Sequence, residues 1–269
     1  ALATIPEVNW KYSKKSITFD EFDVKSQRKV FVWQRPLFSK SNEDCAAIRT
    51  LIKNGYVVVV DWDDDPRFWP AISETDFLTF QIVHAVQVST PEIAEVIKPY
   101  NPNVRVFPNA LEVMPQERNV VDNKNHLKLF FGALNRENDW LPLIEALNDV
   151  FRADPVFWSI SVVHDRRFYD SIDLPESKKS FTSLCDYRQY LDVMSQCDIA
   201  LMPLSDTPFN RMKSDLKAIE AGAHGLALLA SNIVYSKSIA DGVTGAIFED
   251  PDQMKMHLQS WRKDPSQVS

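Results

Sequence analysis

The chain is poor in the residues that would tie it to several common chemistries. Only three of its 269 residues are cysteine, at positions 45, 185 and 197. Scattered like this, they build neither a disulfide framework nor a zinc motif, and they fit a reducing compartment. The five histidines (His84, His126, His164, His224 and His257) form no metal motif. Glycine is scarce, with six residues, and no G-x-G-x-x-G occurs, which removes the dinucleotide fingerprint. No apolar run reaches the roughly 18–20 residues that span a bilayer, and the N-terminus is not a signal peptide. Positive charge is outnumbered, 30 Lys and Arg against 37 Asp and Glu, for a net charge of −7. Overall charge therefore does not favour nucleic acid, although a local basic pocket is still allowed.

What is present reads as an ordinary globular protein, 45% hydrophobic and 25% charged. At roughly 100–200 residues per domain, the length suggests two domains or one large one. The chain opens at Ala1-Leu-Ala without a methionine, which we read as a domain cut from a longer protein rather than a processed one.

Strand and helix signals alternate. Ile17–Asp23 is a short strand candidate and Lys29–Trp33 a clear strand. A helix follows from a cap at Asn42 to Asn54, and Gly55 stops it. Tyr56–Val60 is a β-branched apolar run, the mark of a central parallel strand. A helix over 73–83, a strand at Ala85–Val88, a helix opened by Ser89-Thr-Pro-Glu and a strand at Asn103–Phe107 complete the first series. Glu112–Asn125, polar and holding Pro115, reads as a connector. The second series comprises a strand at Leu127–Phe131, a helix with Pro142 in its first turn, and a strand at Trp158–Val163. It continues with a short strand at Phe181-Thr182, a helix at Tyr187–Ser195 and a strand at Asp198–Leu204. A strand at Ala246–Glu249 and a helix at Asp252–Trp261 close it. This is the pattern of doubly wound α/β domains, whose ligands sit beyond the carboxyl ends of the strands. We assign residues 1–112 to a first, short domain, 113–126 to a linker and 127–269 to a second domain.

Three stretches carry candidate chemistry. Residues 210–231 read as one helix with punctuated ends followed by a buried strand. Ser214 can cap its N-terminus, where free N–H groups favour an anion. Lys213 and Lys217, four apart, share a face, and Glu220 lies near it. Together these groups suit a nucleoside diphosphate, or equally an ordinary α/β unit with solvated lysines. Gly132-Ala-Leu-Asn135-Arg136 follows the first strand of the second domain. There Gly132 lets backbone approach a phosphate and Arg136 can clamp one, or the segment is a simple strand-to-helix turn. Asp61-Trp-Asp63-Asp-Asp65 ends a buried strand. Its carboxylates could hold a metal with a nucleotide sugar, supply an aspartyl nucleophile or position an acceptor hydroxyl. They could also form a solvated junction with aspartate turn chemistry.

Taken in order, several segments resemble a known family. They are Val86-Gln-Val-Ser-Thr90, Val104-Arg-Val-Phe-Pro-Asn-Ala110 and Leu129-Phe-Phe-Gly-Ala-Leu-Asn-Arg136. Asp198-Ile-Ala-Leu-Met-Pro-Leu-Ser205, the run from Glu220 to Ser231, and Asp241-Gly-Val-Thr-Gly-Ala-Ile-Phe248 follow. Their order is similar to that of GT-B type glycosyltransferases of the retaining, family 4-like group, the bacterial surface-polysaccharide and O-antigen type. The resemblance implies two Rossmann-like domains facing across a cleft. It implies transfer of a sugar from a nucleoside-diphosphate sugar to a glycan or lipid-linked acceptor, with no cofactor and no metal. It gives Gly132, Asn135, Arg136, Lys213, Ser214 and Lys217 to the nucleotide sugar, and Glu220 to its ribose. Asp61 and Asp63 would face the acceptor or the reacting sugar as catalytic residues. It also implies a cytoplasmic protein at the inner face of the membrane. Met212 stands where many relatives carry a glutamate, and the Gly-rich strand-loop that opens the first domain is not visible, so that domain is expected to be truncated or reduced. Two other readings compete: a non-catalytic GT-B-like module of a larger protein, and a Mg-dependent phosphohydrolase using Asp61 and Asp63.

Overall fold

The computed structural model describes residues 12–13, 28–117 and 125–268, so the strand expected at 17–23 lies outside the described residues. The chain divides into two compact units, Ala1–Phe107 and Pro108–Ser269.

The first unit contains β1 (Lys29–Gln34), α1 (Asn42–Lys53), β2 (Tyr56–Trp62), α2 (Pro70–Ser73), α3 (Leu78–Gln81), β3 (Ala85–Val88), α4 (Pro91–Ile97) and β4 (Val104–Val106). Its four strands are parallel, in the order β1-β2-β3-β4. The β2 run is interior to the sheet, with Val58, Val60 and Trp62 buried, while Val57 on the opposite face is 45% exposed. Local chemistry differs from expectation at two points. Ser41, not Asn42, caps α1, its hydroxyl accepting from the Asp44 amide at 3.3 Å. The helix expected over 73–83 is two single turns, α2 and α3, because Asp76 and Phe77 take left-handed φ of 56° and 58°. Non-glycine residues in that region end a helix.

The second unit runs β5 (Leu127–Gly132), α5 (Glu137–Trp140), α6 (Ile144–Ala153), β6 (Trp158–Val163), α7 (Arg166–Ser171), β7 (Lys179–Thr182), α8 (Tyr187–Met194), β8 (Ile199–Met202), α9 (Leu216–Ala223), β9 (Ala227–Ser231), β10 (Gly245–Phe248) and α10 (Pro251–Lys263). All six strands are parallel, in the order β10-β9-β8-β5-β6-β7. Alternation along β5 divides its residues between two cores. Leu127, Leu129 and Phe131 join Leu147, Phe151, Phe168 and Leu258 on one face. Phe130 joins Met194, Ala218 and Ala221 on the other. Both faces are thus covered by helices, as a parallel sheet requires. No helix among the described residues is long and apolar enough to cross a membrane.

Candidate functional site

The strand order of the second unit reverses between β5 and β8: the chain leaves β5 toward β6 and β7, then returns to the other side of β5 with β8. Loops leaving two such strands diverge and open a crevice at their carboxyl ends, where ligands of these sheets bind. The sequence places its basic residues there. Lys217, in the first turn of α9, donates from Nζ to the carbonyl oxygen of Gly132, the last residue of β5, at 2.7 Å. Arg136, just before α5, donates from Nη1 to Asn210 Oδ1 at 2.9 Å and to Asp139 Oδ2 at 3.3 Å. The Asn210 amide donates in turn to Asp139 Oδ1 at 2.8 Å and to the Ser205 carbonyl at 2.9 Å. Asp139 Oδ1 also accepts from the Ser205 amide at 2.8 Å. The loops that follow β5 and β8 are therefore stitched together through buried Asp139 and Asn210.

Electrostatics sharpen the picture. Burial, helped by the neighbouring charges of Arg136 and Lys213, pulls the Lys217 ammonium down to about 8. Lys213 Nζ sits 4.4 Å from the centre of the Phe209 ring, and the Arg136 guanidinium 5.8 Å from it, so one aromatic ring gathers two cations. Glu220 is buried on α9, and burial raises its carboxyl above the usual range. The Tyr187 hydroxyl donates to Glu220 Oε1 at 2.6 Å. Burial and that bond push the phenol up to about 12. Tyr187 stacks on Tyr190, which stacks on His164, with centroids 6.5 and 6.2 Å apart. Burial and the Lys217 charge lower the His164 imidazole below its ordinary value.

Several expected details change. Residues 210–225 are not one helix: a 3-10 turn at Asn210–Met212 precedes extended backbone at Lys213, and α9 begins only at Leu216. The shared helical face of Lys213 and Lys217 is therefore absent, although their charges still couple. Ser214 does not cap α9, where the cap residue is Asp215 and makes no side-chain capping bond. The Ser214 hydroxyl instead accepts from Asn109 Nδ2 at 2.8 Å. A side chain at Gly132 would meet the rings of Tyr190 at 2.5 Å and Phe130 at 2.7 Å, so close aromatic packing accounts for the glycine. Asn135 takes a left-handed φ of 56° and turns the chain before Arg136.

The acidic run of the first unit is mostly engaged in ion pairs. Arg35 pairs with both Asp63 and Asp64, the latter at 2.9 Å. Asp65 is fully buried, and its Oδ1 accepts from the Arg67 amide at 3.0 Å, capping the Pro66–Phe68 turn. Its Oδ2 pairs with the Arg67 guanidinium at 2.8 Å. Asp61 differs. It accepts from Gln87 Nε2 at 2.9 Å across the β2–β3 pair, and burial raises its carboxyl.

Sequence reasoning missed Asp139 and Tyr187. Asp139 lies ahead of the helix read with Pro142 in its first turn, in no motif, and its partners lie 66 and 71 residues away. Tyr187 sits where a helical period reads only as apolar, and its bond to Glu220 spans 33 residues.

Comparison with known proteins bears on the fold and the family. In solved structures the fold recurs in Anabaena HepE in complex with UDP-glucose, at 12% identity over 88% of this chain and 70% of that one, TM-score 0.61. It recurs in a mutant of S. aureus TarM in complex with fondaparinux, alpha-GlcNAc-glycerol and UDP, at 12% identity and TM-score 0.59. That match takes in 80% of this chain but only 45% of TarM, so this chain spans less than half of TarM's length. A third likeness is to WaaG, described as a glycosyltransferase involved in lipopolysaccharide biosynthesis, at 14% identity over 87% of this chain and 78% of that one, TM-score 0.59. These likenesses establish the GT-B fold class. No curated protein matches the chain. The family described as Glycosyl transferases group 1 matches residues 126–264, just over half of the sequence and all of the β5–α9 constellation. This chain belongs to the group 1 glycosyltransferases.

Proposed function

We propose that the chain transfers a sugar from a nucleoside-diphosphate sugar to a glycan or lipid-linked acceptor, with retention at the anomeric carbon and without a metal ion. One observation carries the reading: Lys217, Arg136 and Lys213 gather where the sheet order reverses, and burial has already depressed the Lys217 ammonium. A departing diphosphate develops negative charge. Cations fixed beforehand in a poorly solvated site stabilise it without reorganising, an effect that commonly contributes several kcal/mol. In this reading residues 127–269 hold the donor, with Glu220 accepting hydrogen bonds from the ribose. Asp61, with Asp63 beside it, serves the acceptor or the reacting sugar from residues 1–112. The finer points are a retaining, family 4-like enzyme of surface-polysaccharide synthesis with a reduced first domain, working at the cytoplasmic face of the membrane. They rest on the sequence resemblance and on the role of WaaG in lipopolysaccharide biosynthesis.

The test is thermal shift with UDP, GDP and ADP, each with and without Mg²⁺, because a ligand stabilises by its concentration relative to Kd. We expect at least one of them to raise the melting temperature in the absence of metal. If none does, with or without metal, the donor-site reading fails.

A further inference from the structure

We propose that Asp139 is a positioning residue of the donor site, orienting the Arg136 guanidinium both directly and through Asn210. The inference rests on the reading that Arg136 engages the diphosphate. It adds a residue and a division of labour which that reading does not contain.

The geometry is that of a jig. Asp139 is buried and takes three donors: the Ser205 amide and the Asn210 side-chain amide at 2.8 Å each, and Arg136 Nη1 at 3.3 Å. Buried polar groups satisfied to this degree are stiff, because losing any member leaves an unpaired group in low dielectric. The amide of Asn210 is fixed as well. Its nitrogen is spent on Asp139 and Ser205, which leaves its oxygen to face Arg136 at 2.9 Å. The same Nη1 is thus held by acceptors on two different loops, while the Phe209 ring lies 5.8 Å from the guanidinium. Arginine owes its value for phosphate to a planar fork of donors, so orientation matters as much as charge. An arginine bound only by solvent would have to be ordered on each encounter with ligand, at a cost in side-chain entropy.

Asp139 has a second influence through space. The groups that face Lys217 are Arg136, Lys213 and His164, which disfavour its charge or share it, and Glu220 and Asp139, which favour its charge. Removing the Asp139 charge while keeping its shape therefore lets Lys217 lose its proton at lower pH.

The experiment is a double-mutant cycle on nucleotide affinity with Asp139→Asn, Arg136→Ala and the pair. The probes are whichever of UDP, GDP and ADP binds the wild type most tightly, and the matching nucleoside, titrated between pH 6.5 and 9. We expect Asp139→Asn to weaken the diphosphate about tenfold and the nucleoside hardly at all, and to move the fall in diphosphate affinity to lower pH. In the Arg136→Ala background, Asp139→Asn should add less than twofold. Equal losses for diphosphate and nucleoside, or an undiminished effect in the Arg136→Ala background, would overturn the proposal. If Asp139→Asn does not fold, Asn210→Ala removes one arm of the jig, and the same cycle applies to it with the same affinity outcomes and no shift in the pH profile. A wild type indifferent to Arg136→Ala would instead refute the donor-site reading, so the two failures are distinguishable.

Discussion

The ammonium of Lys217 is tethered to the carbonyl of Gly132, 85 residues earlier in the chain, at 2.7 Å. This joins α9 to the end of β5 and holds a cation where the fold solvates it poorly. A lysine normally titrates near 10.4, whereas this one is drawn down to about 8. Between those values the unfolded chain holds a proton that the fold has shed. Ligand-free stability should therefore rise with pH across that window. Binding of a nucleoside diphosphate should run the other way and weaken as pH climbs past about 8. Lys217→Met removes both dependences. The variant's melting temperature should exceed that of the wild type most at pH 7, with the gap closing by pH 10, and its shift with UDP should vanish. Melting scans at pH 7, 8.5 and 10, with and without UDP, check this. Parallel pH slopes for the two proteins would show that the Lys217 charge is not what the fold resists.

The Tyr187–Glu220 bond makes a second prediction. Tyr187→Phe deletes the donor and keeps the ring stacked on Tyr190. The cost in stability should be about 1 kcal/mol, the usual net worth of such a bond. Without the phenol, burial raises the Glu220 carboxyl further, since that bond is the largest influence lowering it. If Glu220 accepts from the ribose, affinity for UDP should fall severalfold at pH 6 and recover partly at pH 8, while 2′-deoxy-UDP changes less. Calorimetric titration of both nucleotides measures it, and equal losses would remove Glu220 from the ribose.

These residues also show what the sequence made legible and what it hid. The succession of strands was readable because parallel strands favour β-branched or apolar runs, such as Tyr56–Val60 and Leu129–Phe131. Leu216–Ala223 was readable as helix for the same local reason, its apolar period. The stretch before it was not. Asn210, Lys213 and Ser214 look like a continuation of that helix. Asn210 is instead bonded to Asp139 and Ser205, and Ser214 accepts from Asn109, 105 residues away. The bonds of Asn210 to Asp139 and of Ser214 to Asn109 are tertiary and overrode local propensity there, and no short window along the chain contains both partners of either. Gly132 was noticed for the phosphate its backbone could approach, but the two aromatic rings that a side chain there would meet were not legible, one of them lying 58 residues later.

That packing gives a third prediction. A methyl group at position 132 would lie 2.5 Å from Tyr190 Cε2 and 2.7 Å from Phe130 Cζ, both ring atoms with no flexible tail to yield. Overpacking of this kind costs typically about 1–3 kcal/mol. Gly132→Ala should lower the urea midpoint accordingly, with an unchanged m value if the protein still unfolds in one step. Pairing it with Tyr190→Leu, which removes the nearer ring, should recover part of the loss. No recovery would mean that the glycine is needed for its backbone and not for its lack of a side chain.

The acidic run yields the last prediction, because its members are held so differently. Asp63 lies on the surface in an ion pair with Arg35, and exposed pairs contribute roughly 0–1 kcal/mol. Asp63→Asn should therefore change melting little. Asp65 is buried, caps a turn and pairs with Arg67. Asp65→Ala should cost about 1–3 kcal/mol, because it strands the polar groups that the carboxylate satisfied. Asp61 is neither a surface pair nor a cap. Its carboxyl is raised by burial and accepts a hydrogen bond from Gln87. If it serves the acceptor or the reacting sugar, Asp61→Asn should leave the UDP-induced melting shift intact and abolish sugar transfer, whereas Asp65→Ala should reduce transfer only in proportion to the protein that unfolds. Measured together, melting, nucleotide shift and transfer separate the three aspartates. Loss of the nucleotide shift in Asp61→Asn would place that residue on the donor and undo the division of roles proposed for the two units.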